Sequence, residues 1–199
     1  MRDLSLHLMD IIQNSITAKA RRIKLTLKAG AESGKLEMTV ADDGTGMDRA
    51  LLESVTDPFT TTRSTRKVGL GIPLLKAAAE RSCGELCIAS EKGNGTTVTA
   101  TFDIDNIDRP PLGDMAETVT GVILSDPDVD LILRLEHGPE VFELDSSEIK
   151  QKLGEVPITE YEVLAWINDY VNEGITAIFG GVLDEIDSPI GRDKEEDPR

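Results

Sequence analysis

Cysteine is scarce in this chain. Only Cys83 and Cys87 occur among 199 residues, which excludes a disulfide framework. Their Cys-x-x-x-Cys spacing is a weak metal signal without nearby ligands, and burial as small apolar side chains is the expectation for both. Positive charge is also short: 21 basic residues face 37 acidic ones, a net charge of −16. Nonspecific binding to DNA, RNA or an anionic membrane is therefore disfavoured, although a local basic patch would suffice for nucleotide phosphates. No apolar run approaches membrane-spanning length, and the N-terminus lacks a basic stretch followed by an apolar core and a cleavage site. A soluble cytoplasmic protein is the expectation. No internal repeat is visible, and the length suits one domain or a domain with a smaller companion.

What is present is a mixture of helical and strand periodicities. Leu4, Leu8, Ile11, Ile12 and Ile16 recur at helical spacing, predicting a helix over 3–19 that carries Asp10 and Asn14 as neighbours one turn apart. Residues 22–27 and 35–40 alternate polar and apolar around a glycine-bounded turn at 30–34, predicting an antiparallel hairpin. A short helix follows Met47, and 57–68 reads as a basic, hydroxyl-rich loop. Leu70, Leu74, Leu75 and Ala78 mark another helix, and strands near 85–90 and 96–103 flank the turn EKGNG. Pro110 and Pro111 make 105–113 a linker. Beyond it lie a helix at 114–124, strands at 129–136 and 140–144 around a turn with His137, and a helix opened by Ser146 or Ser147. Thr159-x-x-Glu162 resembles a capping box for a last helix that Gly174 interrupts. Residues 184–199 form an acidic tail. Together these predict an α+β fold, a two-layer α/β sandwich on a mixed, largely antiparallel sheet over 1–104, with a smaller C-terminal α/β module over 114–183.

The stretch VADDGTGM, 40–47, ends an apolar strand in two acids and two glycines. A hairpin turn explains it, because Asp and Gly tolerate unusual backbone angles. So does a ligand that the acids recognise. The order of the surrounding motifs is more specific than any one of them: Asp10-x-x-x-Asn14, Asp42-Asp43-Gly44-Thr45-Gly46, Asp57-Pro58-Phe59-Thr60-Thr61, Gly69-Leu70-Gly71, and Gly93-Asn94-Gly95-Thr96. With the phrases QNSITAKA and CGELCIASEKGNGTTV, this series resembles the ATP-binding domain shared by gyrase, the large heat-shock chaperone, histidine kinases and mismatch-repair ATPases, the GHKL family. The resemblance covers residues 1 to about 104.

The resemblance implies ATP and Mg2+ as cofactors and a role for each matching position. Asn14 is the magnesium ligand, its neutral amide oxygen being suited to a hard cation that keeps waters and phosphates around it. Asp42 accepts a hydrogen bond from the adenine amino group, as an acceptor-only carboxylate can. Gly44 and Gly46 let the backbone approach the base, Gly95 shapes the next turn, and Thr96 helps bind adenine. Met47, Thr61 and Leu70 also fall at nucleotide-binding positions. Arg63 and Lys67, with Arg66, offset phosphate charge from a lid over 57–68. Gly69 and Gly71 let the following helix present its N–H groups to phosphate. Asp43 replaces an Asn common in the family. Asp10 stands where many members carry Glu, keeping a carboxylate of shorter reach for orienting or deprotonating a nucleophile.

A self-contained histidine kinase carries its phosphoacceptor histidine in a helical hairpin ahead of the ATP domain, and here the motifs start almost at Met1. His7 and His137 read as structural or solvent-facing. The leading expectation is an ATP-dependent protein kinase, histidine-kinase-like or of the anti-sigma serine type, transferring γ-phosphate to a partner protein, with a homodimer compatible with that design. The alternative is an ATP-driven interaction switch with slow hydrolysis, and a third reading is an ATP sensor without turnover.

Overall fold

The computed structural model describes residues 3–55 and 71–183. Its elements follow the order α1 (Leu4–Thr17), β1 (Arg22–Ala29), β2 (Lys35–Asp42), α2 (Arg49–Ser54), α3 (Gly71–Arg81), β3 (Leu86–Ser90), β4 (Thr96–Asp103), α4 (Met115–Ser125), β5 (Asp130–His137), β6 (Glu140–Asp145), α5 (Ser146–Leu153) and α6 (Tyr161–Phe179). The six strands form one sheet in the order β3-β4-β2-β1-β5-β6. Every neighbouring pair is antiparallel except β1 and β5, which run parallel from Arg22 beside Asp130 to Ala29 beside His137. This is the α+β architecture that the mixed periodicities predict.

Alternation along the strands decides which face is covered. Ile23, Leu25, Leu27 and Ala29 of β1 are buried, as are Leu36, Met38 and Val40 of β2, Val98, Ala100 and Phe102 of β4, and Leu131, Leu133 and Leu135 of β5. Arg22, Lys24 and Lys28 alternate with them and are exposed, as expected for a sheet packed on one side. Helices α1, α3, α4, α5 and α6 make the packing contacts to the strands. Leu4, Leu8, Ile11 and Ile12 of α1 share one continuous apolar cluster with Val119 and Val122 of α4 and Ile167 and Val171 of α6.

Residues 114–183 thus extend the sheet that begins at 22. The segment 105–113 runs back along the start of α1, where the Leu4 and Ser5 amides donate to the carbonyls of Pro111 and Leu112 at 2.9 and 3.0 Å. Leu112 is buried. Asp3 caps the same helix end, accepting from the Leu6 amide at 3.0 Å.

Several local expectations change. Cys83 and Cys87 are exposed rather than buried: Cys83 takes a left-handed turn conformation after α3, φ 53°, and Cys87 occupies an outward position of the edge strand β3. Leu74 is also exposed, and Ile72, Pro73, Leu75, Ala78 and Ala79 form the buried side of α3. His137 ends β5 instead of lying in the turn, with Nδ1 3.0 Å from the Ala29 carbonyl oxygen. Thr159 does not form a capping box, because α6 starts one residue later: Glu160 is the N-cap without a side-chain capping bond, and its carbonyl accepts from Leu164 at 3.0 Å.

Gly174 does not interrupt α6, which continues to Phe179. The residue is there for space. A Cβ at 174 would lie 2.6 Å from the Phe142 ring of β6, so the glycine lets helix and strand close on each other. Overpacking costs about 1–3 kcal/mol, against a helix-propensity gain of about 1 kcal/mol for Gly→Ala. Gly174→Ala should therefore lower unfolding free energy in urea by up to about 2 kcal/mol, with recovery when Phe142→Leu is added. A more stable single variant would show that this contact does not limit packing.

Candidate functional site

Helix α1 ends over the C-terminal end of β2, and Asp42 joins them. The Ser15 hydroxyl donates to Asp42 Oδ2 at 2.7 Å, while the Gly44 amide donates to Asp42 Oδ1 at 2.9 Å. Ser15 is fully enclosed and Asp42 half-buried, which makes a charge-assisted bond of this length a strong constraint. An ionised carboxylate has about four acceptor positions over its two oxygens. Two are used by these donors, so Asp42 retains capacity for a further N–H.

Asp43 has a different task. Its Oδ1 accepts from the amides of Arg21 and Arg22 at 2.7 and 2.9 Å, tying the turn after α1 to the exit of β2. The Arg22 N–H, with help from that of Arg21, holds its carboxyl below the usual carboxylate range despite an opposing effect of burial. Two adjacent acids therefore point to separate donor pairs.

Strand β4 supplies the other wall. Thr96 is the direct partner of Asp42 in the β2–β4 register, and its Oγ1 lies 2.9 Å from Ser90 Oγ at the end of β3. Ser90 also donates to the Gly95 carbonyl at 2.9 Å and accepts from the Met47 amide at 2.8 Å. Gly93 N donates to the Thr45 carbonyl at 2.8 Å. The 43–48 loop is thereby stitched to the turn between β3 and β4. Gly44 is buried against Ala18, and Gly46 backs directly onto the Glu91 carbonyl.

On α1, Asp10 and Asn14 are exposed one turn apart. The Asp10 side chain faces the start of α3: a Cβ at Gly71 would sit 3.0 Å from Asp10 Cβ and 3.3 Å from its Oδ2. Asn14 directly precedes Ser15, so the bond to Asp42 fixes both in one neighbourhood. The structure accordingly brings Asp42, Gly44, Gly46, Met47, Gly95 and Thr96 together, with Asn14, Asp10 and Gly71 along α1 and α3. Thr61, Arg63, Lys67, Gly69 and Leu70 lie outside the described residues. Two contributors escaped the sequence pattern, Ser15 and Ser90. Their signals are slight: Ser15 interrupts the apolar side of α1, and Ser90 ends a strand opposite Thr96.

His7, one turn before Asp10, is 2% exposed, and its Nδ1 has no hydrogen-bond partner. Burial pushes its pKa below the ordinary value, with Arg81 acting in the same direction and Asp10 and Asp3 opposing. Since the folded pKa lies below the unfolded value of about 6.5, the unfolded chain binds the proton first. Stability should be unaffected by this group above about pH 6.5 and fall as pH drops below it, by at most about 1.4 kcal/mol per pH unit. Urea unfolding at several pH values should show that slope in the wild type and its loss in His7→Leu.

Gly95 and Gly93 form a natural contrast, with φ of 83° and 88°. A Cβ at 95 would collide with the Asp42 carbonyl, whereas nothing lies within 4 Å of one at 93. Both Ala variants should carry backbone strain of about 1–3 kcal/mol. Gly95→Ala should be the more destabilised of the two in thermal unfolding, because it also forces β2 and β4 apart.

The family model described as histidine kinase-, DNA gyrase B- and HSP90-like ATPase matches residues 2–106, just over half of the chain. An uncharacterized sensor-like histidine kinase of Rhizobium meliloti is 33% identical over 103 residues, 49% of this chain and 20% of that protein. The histidine protein kinase DivJ of Caulobacter vibrioides is 31% identical over 107 residues, covering 52% and 18% of the two chains. Sporulation kinase D of Bacillus subtilis is 29% identical over 97 residues, covering 49% and 19%. The chain thus spans a fifth or less of the length of these relatives. A crystal structure of the N-terminal domain of a DNA repair protein shares the fold at a TM-score of 0.52 and 14% identity, over 73% of this chain and 52% of that one. Among the described residues no helix is long and apolar enough to cross a membrane. With the family model matched across α1 to β4, the chain belongs to the histidine kinase-, DNA gyrase B- and HSP90-like ATPases.

Proposed function

We propose that this protein binds ATP with Mg2+ and transfers the γ-phosphate to a partner protein. The observation that carries the proposal is the placement of Asp42: anchored by Ser15 and Gly44, opposite Thr96, and joined through α1 to Asn14 and Asp10. Residues 1–104 are the nucleotide-binding unit and 114–183 the part that meets other proteins. The relatives named as histidine kinases support the same direction.

Each residue has a defined task. Asp42 accepts from the adenine amino group, beside Thr96, with Met47 and the Gly44, Gly46 and Gly95 backbone around the base. Asn14 fits the cation because its amide oxygen is a hard neutral donor held next to the Ser15–Asp42 bond. The bound magnesium supplies charge neutralisation at the phosphates. Gly71 and the first amides of α3, with Gly69, Leu70, Thr61, Arg63 and Lys67, hold the phosphate chain. Asp10 takes the proton from the acceptor group as that group bonds to the γ-phosphorus. The bond from γ-phosphorus to the bridging oxygen breaks, and ADP leaves with the electron pair.

A second reading has support of its own. Helix α1 carries Asp10 and Asn14 and is also bonded to 111–112 and packed on α4. Nucleotide occupancy then alters the surface presented by 114–183, with slow hydrolysis as the reset.

The purified protein, given γ-labelled ATP, Mg2+ and a lysate of its source cells, should label a second protein. Asp10→Ala should cut that transfer about 10²–10⁴-fold with ATP affinity nearly kept, Asn14→Ala should abolish the magnesium dependence, and Asp42→Asn should weaken ATP binding at least about tenfold. Label recovered only as inorganic phosphate rules out the transfer reaction. The switch reading then stands if capture of a partner changes between ATP, ADP and no nucleotide.

A further inference from the structure

Helices α5 and α6 enclose an open groove of about 360 Å³ lined by Ile149, Leu153, Val163 and Trp166, with Lys152 and Glu162 at its sides. The chain is poor in aromatics, with one Trp, two Tyr and four Phe, yet the tryptophan and both tyrosines lie on α6. Trp166 is 52% exposed and Tyr161 83%. The indole is held in place from behind: it stacks on Tyr170 with ring centres 5.1 Å apart and planes 9° apart, and Tyr170 packs on Phe142 at 4.9 Å. Phe142 in turn rests on Gly174. A costly exposed aromatic on a rigid support has the character of a binding anchor, since Trp and Tyr dominate such contacts.

The charge around the groove selects the occupant. Glu162 lines the groove, Glu148, Glu155, Glu160, Asp169 and Glu173 are exposed on α5, on α6 or in the segment joining them, and none of the six is in an ion pair with another described residue. Of the two lysines on α5, Lys150 is committed to Asp130 and the Val129 carbonyl at 2.9 Å each, leaving only Lys152 against this field. A second copy would set the same acidic face against itself. The sequence from Asp184 to Arg199 holds seven acids and three bases, so it is also mismatched in sign. We infer that this groove docks a basic amphipathic helix of a partner protein, its apolar face on Trp166, Val163 and Leu153 and its lysines or arginines toward the acidic rim.

Trp166 is the sole tryptophan, so its fluorescence reports the site directly. A synthetic Leu/Lys peptide with helical apolar periodicity should shift that emission and bind at low micromolar Kd, weakening at least fivefold between 50 and 300 mM salt, on the order expected for several screened charge pairs. Binding followed by anisotropy of the labelled peptide should weaken about tenfold in Trp166→Ala and in the surface variant Glu160→Lys/Glu162→Lys, on the scale of lost hot-spot contacts, with circular dichroism unchanged. A Leu/Glu peptide and a Leu/Lys peptide with scrambled periodicity should bind far less. Equal binding of the scrambled peptide, insensitivity to both variants, or sedimentation showing a dimer that buries Trp166 would overturn the inference. No nucleotide enters the measurement, so its failure leaves the phosphate-transfer proposal standing.

Discussion

The hydrogen bond from the Ser15 hydroxyl to the Asp42 carboxylate is the constraint on which the site depends. It closes the last turn of α1 onto the end of β2, two segments 27 residues apart. A helix has 3.6 residues per turn, so fixing Ser15 also fixes Asn14 beside it and Asp10 about one turn further back. Any departure in the α1–β2 angle moves all three together. Asp43 completes the clamp from the other side by accepting from the Arg21 and Arg22 amides. The double acid that closes β2 therefore holds α1, the start of β1 and the 43–48 loop in one arrangement. Asp42 keeps acceptor capacity for a ligand while doing so.

The second half of the site is built from neutral groups. Ser90 gathers the Met47 amide, the Gly95 carbonyl and the Thr96 hydroxyl, replacing the regular ladder where β3 and β4 run out. Such a network satisfies buried polar groups without introducing charge. It also explains why Gly95 cannot carry a side chain here. The neighbour it must clear is the Asp42 carbonyl itself, so the turn and the acid occupy positions that depend on each other.

Much of this was legible in sequence, and what was not has physical causes. Alternation at 22–27 and 35–40 revealed the β1–β2 hairpin because its pairing is local and one face is buried. The parallel pairing of β1 with β5 left no comparable trace, since a register between residues about 108 apart is set by packing of the intervening helices. The motif series singled out Asp42 as a candidate, whereas Ser15 was hidden because a serine on a helix is ordinarily neutral until its distant acceptor is known. Thr159 and Gly174 misled for the opposite reason. Each matched a local rule, but α6 begins at Tyr161 with Glu160 as its N-cap, and a glycine inside it answers to the Phe142 ring rather than to helix propensity. The cysteines went the same way: their usual preference for burial yields to a turn and an edge strand that place both outside.

Helix α1 is also where the two parts of the chain meet. Its C-terminal turn is bonded to Asp42, its N-terminal amides to Pro111 and Leu112, and its flank to α3 and α4. Close-packed interiors transmit a displacement rather than absorb it, so a shift of α1 at one end is felt at the other. His7 sits in the first turn of that helix with a buried, unpartnered Nδ1. An unpartnered buried nitrogen of this kind lowers stability. Helix α1 is thus bonded at both ends and shares the apolar cluster with α4. A displacement of α1 would therefore reach α4 through that cluster.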